Sequence, residues 1–596
     1  MVERDSWCSM CAFWSKKFGN SRNPSSSSLE KKLLEDEESL VRSETCPTKP
    51  GWKAMPYILG NETVERLATF GMTANFMVYL MKEYNMDQVL ASNILNTWLG
   101  VCNIIPIFGA FLADSYFGKF KTIALASFAS LLGMLIVTLT AWVPQFHPSP
   151  CSFDQQQLGV CMGHTNFQLT VLLMGLFWLA IGTGGIRPCS VPFAIDQFDL
   201  TTSQGRRGTT KFYNFYYTTQ TIIMLFNQTL LVYIQDSVSW ALGFALPTLF
   251  MFSAILFFFS GSNIYAYVEP KGSIFSGLAQ VLVAAKHKHH LQEDSHRVFY
   301  GPDSANGGDL KLPLTMQFRC LNKGALMEEN DLKDDGSIRD PWRLCSVQQI
   351  EEFKCLIKIV PIWVASIISY LPIGQLAIFP ISQALKMDRH LWGSFEVHPG
   401  SITVIQLLTI ALFLPLYDAF ISPALARITK QEQGLTTLQR IGLGHVFAVL
   451  TLAVSGVVER ERRVRAISHG SPDGVAAMSV MWLAPQFILL GFVQVFTIVG
   501  HTEFYNKECP ESMRSIGNSL LCLTVSGASY LSSFIVNVVH NYTGRQGHPD
   551  WLNNDINKGR LENYYFILAA LGILNLSYFL FCARRYTYKT TVKALA

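Results

Sequence analysis

Apolar residues in this chain are gathered into long runs that short polar segments separate. A helix needs about 20 mostly apolar residues to cross a bilayer, and twelve stretches reach that length when their ends are taken generously. They cover residues 56–81, 89–113, 122–143, 166–187, 212–234, 240–267, 354–380, 401–424, 441–458, 478–504, 514–539 and 563–583. The pattern predicts an all-α polytopic membrane protein with twelve transmembrane helices.

The longest polar segment, at about 270–350, lies between the sixth and seventh apolar runs. Two six-helix halves joined by a long hydrophilic linker are typical of the major facilitator fold. The sequence therefore predicts five regions: a disordered cytosolic tail at 1–53, a first half at 54–268, a cytosolic linker at 269–350, a second half at 351–588 and a cytosolic tail at 589–596.

The composition supports a membrane protein and argues against other classes. Hydrophobic residues make up 49% of the chain and charged residues 15%, whereas roughly 25% are charged in a typical soluble domain. The 47 basic and 43 acidic residues nearly balance, which gives no reason to expect a nucleic-acid partner. No nucleophile–base set and no metal-ligand spacing stands out, so neither an enzyme nor a cofactor is predicted. The expected partners are the lipid bilayer and a small solute.

Basic residues predict which helix ends face the cytosol, because cytoplasmic loops carry an excess of Lys and Arg. Those on the predicted cytoplasmic side are Lys119, Lys121, Arg206, Arg207, Lys211, Arg427, Lys430, Arg440, Lys507, Arg514, Arg584 and Arg585. The loop 144–168 has none, as expected of an outer loop, and Cys151 and Cys161 can pair there if the loop is outside the cytosol. The arginines within 460–465 contradict the pattern, since they follow the ninth span on the predicted outer side.

A motif between the second and third spans refines the class. It reads GAFLADSYFGKFK at 109–121 and resembles the loop signature of the major facilitator superfamily. The resemblance implies close helix packing at the small residues and a gating network that includes Asp114, Gly118 and Lys119. The adjoining sequence KFKT also resembles a basic-directed kinase site, which makes a kinase acting on Thr122 a candidate partner.

Three charged residues stand close together inside the first span, namely Glu62, Glu65 and Arg66. Each costs roughly 2.5–3.5 kcal/mol near the centre of a bilayer, so the cluster needs a functional or structural reason. Their spacing places all three on one helical face. Arg66 neutralises one carboxylate and leaves the other in excess, and that excess carboxylate is the predicted proton-binding group.

The fourth span supplies another buried cation. It contains GTGGIRP at 182–188, in which the glycines permit a close approach of helices and Arg187 carries the charge. A carboxylate keeps its charge beside a guanidinium and gains a proton more readily when the pair separates in a low-dielectric pocket. Alternating access would break and remake such a pair, which gives a route to proton coupling. The alternative is that these charges only join the first and fourth helices as a structural staple.

A further acid, Glu503, lies in the tenth span within the second half. It is predicted to face the charges of the first half across a central cavity. The alternative is a helix-end residue near water, because Lys507 and Pro510 follow soon after it.

Several motifs together resemble one family. The triad of Glu62, Glu65 and Arg66 is joined by GGIRP at 184–188, DQF at 196–198 and FYN at 212–214. This set resembles the proton-dependent oligopeptide transporter branch of the major facilitator superfamily. The long linker and LQRIG at 438–442 are similar to its plant arm, the nitrate transporter/peptide transporter family (NPF).

Shorter motifs look most like the second NPF subfamily. They are GSIF at 272–275, WRLC at 342–345 and WLN at 551–553. That subfamily includes low-affinity nitrate carriers and carriers of defence glycosides such as glucosinolates and iridoid glucosides. The resemblance implies proton-coupled transport of a small solute.

The resemblance also implies roles for the charged residues. Glu62, Glu65 and Arg66 take the positions of the proton-coupling triad, and Glu503 that of the tenth-helix acid of the pocket. Arg187 stands where a lysine is usual elsewhere in the family. Because arginine stays protonated where a buried lysine can titrate, Arg187 is expected to gate the pocket or bind an anion rather than carry the proton.

Two departures from family patterns bear on the substrate. Ile373 stands two residues before Gln375, where some nitrate carriers of the family have a histidine that binds the anion. The fifth span lacks the Ile-Asn-x-Gly-Ser pattern of peptide carriers and has aromatic residues such as Tyr217 instead. The expected pocket residues are therefore Glu503, Ile373, Gln375 and Tyr217, and peptides are not favoured.

The sequence leaves two substrates open for a proton-coupled symporter. One is nitrate, and the other is a glycoside of the glucosinolate or iridoid glucoside type. A different class, a membrane sensor or regulatory partner on a transporter scaffold, is the alternative function, although retained coupling charges favour transport. The expected location is the plasma membrane, with the tonoplast as the alternative.

Overall fold

The computed structural model describes residues 49–149, 162–199, 202–268, 274–291, 299–301, 314–328, 331–333, 338–392, 395–430, 434–468, 474–509, 514–544 and 550–588. The chain divides into two units between Pro50 and Gly51, and every element given below belongs to the unit Gly51–Ala596. The predicted tail before residue 49 and the candidate Cys151–Cys161 pair lie outside the described residues.

Long helices make up the first half of the chain. After a 3₁₀ turn at Gly51–Lys53, they are α1 Met55–Lys82, α2 Gln88–Leu112, α3 Lys119–Trp142, α4 Asn166–Asp196, α5 Ser203–Phe226 and α6 Trp240–Ser260. Turns of π-helix follow α2 at Ala113–Phe117 and α5 at Asn227–Leu231 and Ile234–Val238.

The second half follows the same plan with more interruptions. The linker holds α7 Ile274–His287, α8 Arg319–Asn322 and a 3₁₀ turn at Lys323–Ala325. The later helices are α9 Val347–Ser369, α10 Leu371–Gln375, α11 Phe379–Leu385, α12 Val404–Leu416, α13 Ser422–Thr429, α14 Thr437–Ser468, α15 Ala484–Glu508, α16 Arg514–Thr543 and α17 Leu561–Arg585. A π turn at Tyr417–Ile421 joins α12 to α13, and 3₁₀ turns at Pro399–Thr403 and Val480–Leu483 precede α12 and α15.

Four short strands lie between helices of the second half. They are β1 Met387–Asp388, β2 His390–Trp392, β3 Phe395–Glu396 and β4 Ala476–Ser479. β1 pairs with β4 in parallel and β2 with β3 in antiparallel. They occupy loops on the predicted outer side, so the membrane part remains helical.

Within the described residues, ten helices are long and apolar enough to span a membrane. They coincide with ten of the twelve predicted spans. The other two predictions, 56–81 and 212–234, are also helical, as α1 and α5. Their polar residues lower their hydropathy, since α1 carries the charged triad and α5 begins with a polar stretch. The chain is therefore an all-α polytopic membrane protein, as predicted.

Glycines allow the helices of the first half to pack closely. A Cβ on Gly109 of α2 would lie 2.0 Å from the carbonyl oxygen of Gly184 in α4. A Cβ on Gly182 would lie 2.0 Å from Ser130 Oγ in α3. Gly118, between α2 and α3, has φ +76°, a conformation that side chains with a Cβ rarely adopt. These contacts hold α4, which carries Arg187, against its neighbours.

The two halves meet on the predicted outer side. Asn93 Nδ2 donates to Asn537 Oδ1 at 2.7 Å, and near mid-membrane Ser526 Oγ donates to the carbonyl oxygen of Gly100 at 2.9 Å. Further bonds of this kind join Gln88 to Asn554, Ser533 to Asn93, Thr403 to Gln228 and His398 to Asp236. Among the described residues, each hydrogen bond between the halves lies at or outside the level of Gly100. Among the described residues, side-chain hydrogen bonds therefore join the halves on the predicted outer side.

Three of the four arginines within 460–465, which contradicted the predicted topology, form ion pairs with acids. Arg462 Nη2 lies 2.7 Å from Glu459 and Arg463 Nη2 lies 2.5 Å from Glu562. Arg465 similarly pairs with Glu461 at 2.8 Å. These residues lie on the end of α14, which continues past the predicted span to Ser468. Because the acids neutralise the arginines, the segment is compatible with the outer side.

Part of the predicted linker is folded against the second half. A small apolar core joins Val281 and Ala284 of α7 to Ile350 of α9. Lys288 Nζ and Asp331 Oδ2 are both buried and 2.5 Å apart. The core includes α7, whose sequence IFSGLAQVLVAAKH is largely apolar but too short to span a bilayer, so the prediction of a single polar linker overlooked it.

Candidate functional site

The first part of the site joins α1 to α5. Arg66 Nε lies 3.1 Å from Glu62 Oε1, one helical turn away. The hydroxyl of Tyr216 in α5 donates to the same carboxylate oxygen at 3.1 Å and accepts from Arg66 Nη2 at 3.2 Å. Tyr216 therefore holds an acid and a base of the triad together from a second helix.

The second part of the site joins α1 to α4. Glu65 Oε1 accepts from Thr69 Oγ1 at 2.8 Å and from Thr183 Oγ1 at 2.9 Å. Arg187 Nε lies 3.8 Å from Glu65 Oε2, which is within ion-pair range but beyond a hydrogen bond. Among the described residues, Glu65 Oε2 accepts no hydrogen bond. The pair of Glu65 and Arg187 is therefore close but incomplete.

Both bases of this charged cluster reach open space while both acids are buried. The side chains of Glu62 and Glu65 are 1% and 0% exposed, and those of Arg66 and Arg187 are 21% and 18% exposed. Phe70 lies between the guanidiniums, with its ring centroid 6.0 Å from Arg66 Cζ and 5.8 Å from Arg187 Cζ. Both bases also lie within electrostatic range of the Cys522 thiol on α16. Both bases therefore lie on the side of the cluster toward α16 of the second half.

Local helical geometry explains how these side chains meet. Residues four apart lie on one face of a helix, so Glu62 meets Arg66 and Glu65 meets Thr69. Thr183 and Arg187 share a face of α4 in the same way, and both point to Glu65. The sequence predicted one excess carboxylate in the triad, and Arg187 balances it in this conformation.

Sequence reasoning missed three contributors to the site. Thr69 and Thr183 each lie four residues from a recognised charge, and that spacing is the signal that would have found them. Tyr216 belongs to the aromatic stretch of the fifth span, and its hydroxyl bonds to Glu62 and Arg66, a role that the sequence did not indicate. No pattern in α5 alone indicates that bond, because it depends on how α5 packs on α1.

Glu503 is paired within its own half. Its carboxylate lies 3.2 Å from Arg440 Nη1 and 2.6 Å from Lys507 Nζ. The Arg440 guanidinium also sits over the Tyr417 ring, 4.9 Å from the centroid. Glu503 is partly exposed near the inner end of α15. In this conformation it forms no hydrogen bond or ion pair with a described residue of the first half.

Two of the other predicted pocket residues, Gln375 and Ile373, lie inside the second half, and the side chain of the third is outside the described residues. Gln375 is fully buried, and its Nε2 donates to Ser532 Oγ of α16 at 2.5 Å. Ile373 is partly buried against the apolar core of the second half. The backbone of Tyr217 lies in α5, but its side chain is outside the described residues.

The predicted gating residues lie at the inner ends of α2 to α4. Lys119 Nζ forms an ion pair of 2.6 Å with Asp196 at the end of α4. Asp114 lies in the π turn after α2 and is within electrostatic range of both. Thr122 is buried, and its hydroxyl donates to the Gly118 carbonyl at 3.0 Å. In this conformation, therefore, a kinase has no access to it.

Comparison with known proteins decides the family. A model described as the POT family (PTR2) matches residues 120–552, more than half of the chain. The chain belongs to the POT family. The predicted fold class and family are thereby confirmed, and the members found are transporters rather than enzymes.

Plant relatives of the POT family match nearly the whole chain. Protein NRT1/ PTR FAMILY 2.13 of Arabidopsis thaliana is 50% identical over 563 residues, covering 94% of this chain and 90% of the relative. Putative protein NRT1/ PTR FAMILY 2.14 of Arabidopsis thaliana is 50% identical over 551 residues, covering 91% of this chain and 97% of the relative. The predicted likeness to the second subfamily is therefore confirmed.

Solved POT family structures share the fold. The in meso crystal structure of the POT family transporter PepTSo superposes with a TM-score of 0.66 at 20% identity, covering 90% of this chain and 98% of that one. An auto inhibited POT family peptide transporter gives a TM-score of 0.67 at 19% identity, covering 91% and 98%. At this identity the likeness concerns the fold alone.

Proposed function

We propose that this POT family transporter is a proton-coupled symporter of an anion, either nitrate or an anionic glycoside of the glucosinolate type. The observation that carries the proposal is the arrangement of Glu65 and Arg187. A fully buried acid is held by an incomplete ion pair, and the base of that pair is partly exposed to the space between the halves.

The arrangement links a proton to an anion by charge balance. With both glutamates ionised, Glu62 and Glu65 cancel Arg66 and Arg187, and the cluster is neutral. Protonating Glu65 leaves one guanidinium charge without a counterion in a site of low dielectric. Such a charge is costly unless it is paired, so an anionic substrate is favoured as the new partner of Arg187.

The conformation fits the release step of this cycle. Among the described residues, the halves are hydrogen-bonded at or outside the level of Gly100, while Glu65 lies within ion-pair range of Arg187. In the proposed cycle, the proton leaves Glu65 toward the cytosol, Arg187 returns to the carboxylate, and the anion is displaced. The same steps in reverse order load the carrier from the acid outer side. We place the protein in the plasma membrane, where such a pH gradient exists.

Two-electrode voltage clamp on expressing oocytes tests the proposal. At acid external pH the cells receive, in turn, nitrate, a glucosinolate, a neutral iridoid glucoside and a dipeptide. One proton carried with one monovalent anion moves no net charge, so uptake of each labelled compound is measured beside the current. We expect acid-stimulated uptake of one of the two anions, and its loss in Glu65→Gln. A response to the neutral glucoside alone would overturn the anion assignment. Silence with all four, despite surface expression, would favour a sensor or an internal membrane.

A further inference from the structure

A cavity lies at the inner end of the second half, away from the charged cluster. Its volume is about 490 Å³. Its lining comes from α9, from α17 and from the linker, and consists of Gln317, Phe318, Lys358, Pro361, Ile362, Phe581, Cys582, Arg585, Tyr586 and Thr587. We call this the α9–α17 cavity. It lies at the carboxy-terminal end of α17, an apolar helix of 25 residues, on the predicted cytosolic side.

Two bases give the α9–α17 cavity a positive charge. Lys358 and Arg585 line it, and no acidic residue does. Among the described residues, neither base forms an ion pair with a carboxylate. The Arg585 guanidinium lies over the ring of Phe581, 4.2 Å from its centroid, so an apolar surface and a cation share one wall.

The remaining wall suits a hydrocarbon chain. Pro361, Ile362 and Cys582 present apolar atoms, and Phe581 is largely exposed on the membrane-facing side. Phe318 of the linker has φ +52°, which is a strained conformation for a bulky residue. Its partly exposed ring adds a further apolar surface to the lining of the cavity. Lys358 and Arg585 can bind a phosphate, and the apolar wall beside them can pack against acyl chains. This combination fits a phospholipid.

We propose that the α9–α17 cavity binds one anionic phospholipid of the inner leaflet. Its phosphate lies between Lys358 and Arg585, and an acyl chain follows Phe581 into the membrane. Basic pockets between helices on the cytosolic side bind anionic headgroups by this means. The carboxy-terminal tail is a poorer occupant on charge grounds, because its Lys589 and Lys593 repeat the charge of the cavity. A lipid there would fix the linker wall to the helices of the second half.

Native mass spectrometry of the purified full chain tests the proposal. The protein is equilibrated with equal amounts of phosphatidylserine and phosphatidylcholine, and retained lipid is counted. We expect selective retention of one phosphatidylserine by the wild type. The Lys358→Gln/Arg585→Gln variant should retain roughly thirtyfold less, because each basic residue contributes about 1 kcal/mol to the attraction of an anionic lipid.

A matched control removes the same charge outside the cavity. Arg427→Gln/Arg584→Gln alters two exposed bases on the cytosolic side and should retain phosphatidylserine as the wild type does. If the wild type retains phosphatidylserine and phosphatidylcholine equally, the proposal is overturned, whatever the variants show. Equal loss in both double variants overturns the location. Stronger binding after truncation at Tyr588 would identify the tail as the occupant instead.

Discussion

Two of the carboxylate–guanidinium pairs among the described residues, Glu459–Arg462 and Glu65–Arg187, differ in how completely they are bonded. On the outer side of the second half, Glu459 and Arg462 are both fully buried and joined by bonds of 2.8 and 2.7 Å. Gln383 donates to Glu459 at 2.7 Å, and Arg462 donates to Asn557 at 2.8 Å. Each group therefore has partners from other segments as well as from its own helix.

The Glu65–Arg187 pair of the first half is not saturated in this way. Its nearest ion-pair distance is 3.8 Å, and the arginine is partly exposed to the space between the halves. Burial of a charge does not by itself distinguish a structural pair from a working one. The two pairs differ in hydrogen-bond saturation and in exposure. A fully hydrogen-bonded, buried pair can exchange a partner only by leaving a charge unpaired, whereas the incomplete and partly exposed pair can exchange its carboxylate for another anion at lower cost.

The largest expected effect comes from breaking the saturated pair. Glu459→Gln leaves Arg462 buried without its counterion, which typically costs about 3–5 kcal/mol. We expect a large drop in thermal unfolding temperature in detergent. The control is Glu461→Gln, in the exposed pair with Arg465, which should cost less than about 1 kcal/mol. Similar losses in the two variants would remove the structural role assigned to Glu459.

Neutralising the incomplete pair should alter function rather than stability. Glu65→Gln removes a titratable carboxylate and its hydrogen bonds as a charged acceptor, each of which contributes about 1.5–3 kcal/mol. Proton-driven solute accumulation should fall by roughly 10–100-fold, because 1.4 kcal/mol corresponds to tenfold. Exchange of labelled for unlabelled solute should persist, because it needs no net proton movement. An unfolding temperature as low as that of Glu459→Gln would contradict the comparison.

A smaller effect is expected from the hydroxyl that bridges Glu62 and Arg66. Tyr216→Phe removes a donor to the carboxylate, and a hydrogen bond of this kind contributes about 0.5–1.5 kcal/mol. Without that hydroxyl, α5 no longer bridges Glu62 and Arg66, so the rate of acid-driven uptake should fall by up to about tenfold. The initial rate of labelled-solute uptake per surface-expressed protein measures this. Tyr233→Phe, half-exposed between the π turns that follow α5, is the control and should leave the rate unchanged.

The smallest effect concerns the closed outer side. Asp236 lies 3.0 Å from Lys82 in its own half and 3.0 Å from His398 in the other. Asp236→Asn weakens this partly exposed link by about 0.2–1 kcal/mol, so the outer side should open up to about fivefold more often. A cysteine at Ser533, which lies in the outer contact, should react faster with an impermeant maleimide. The parent chain without Ser533→Cys gives the background, and an unchanged rate would exclude Asp236 from the gate.

Much of the fold follows from local pattern, whereas the bonding of the site does not. The predicted spans coincide with helices because apolar length is a property of each segment. Glu62, Glu65 and Arg66 were recognisable because charges are costly in a membrane and their spacing is local. The bonds to Thr183 and Tyr216 join different helices, and α5 and α4 must be placed before they can be seen. The Glu459–Arg462 pair is itself local, three residues apart on α14, but its bonds to Gln383 and Asn557 join other segments and could not be predicted.

Solute-driven proton entry into proteoliposomes tests the central claim most directly. Wild type, Glu65→Gln and Asn557→Ala are reconstituted with an internal pH-sensitive dye, and an inward gradient of the transported solute is applied. The account predicts internal acidification with the wild type and with Asn557→Ala, per folded protein, and none with Glu65→Gln. Acidification by Glu65→Gln at the wild-type rate would show that the proton travels elsewhere and would contradict the role given to the incomplete pair.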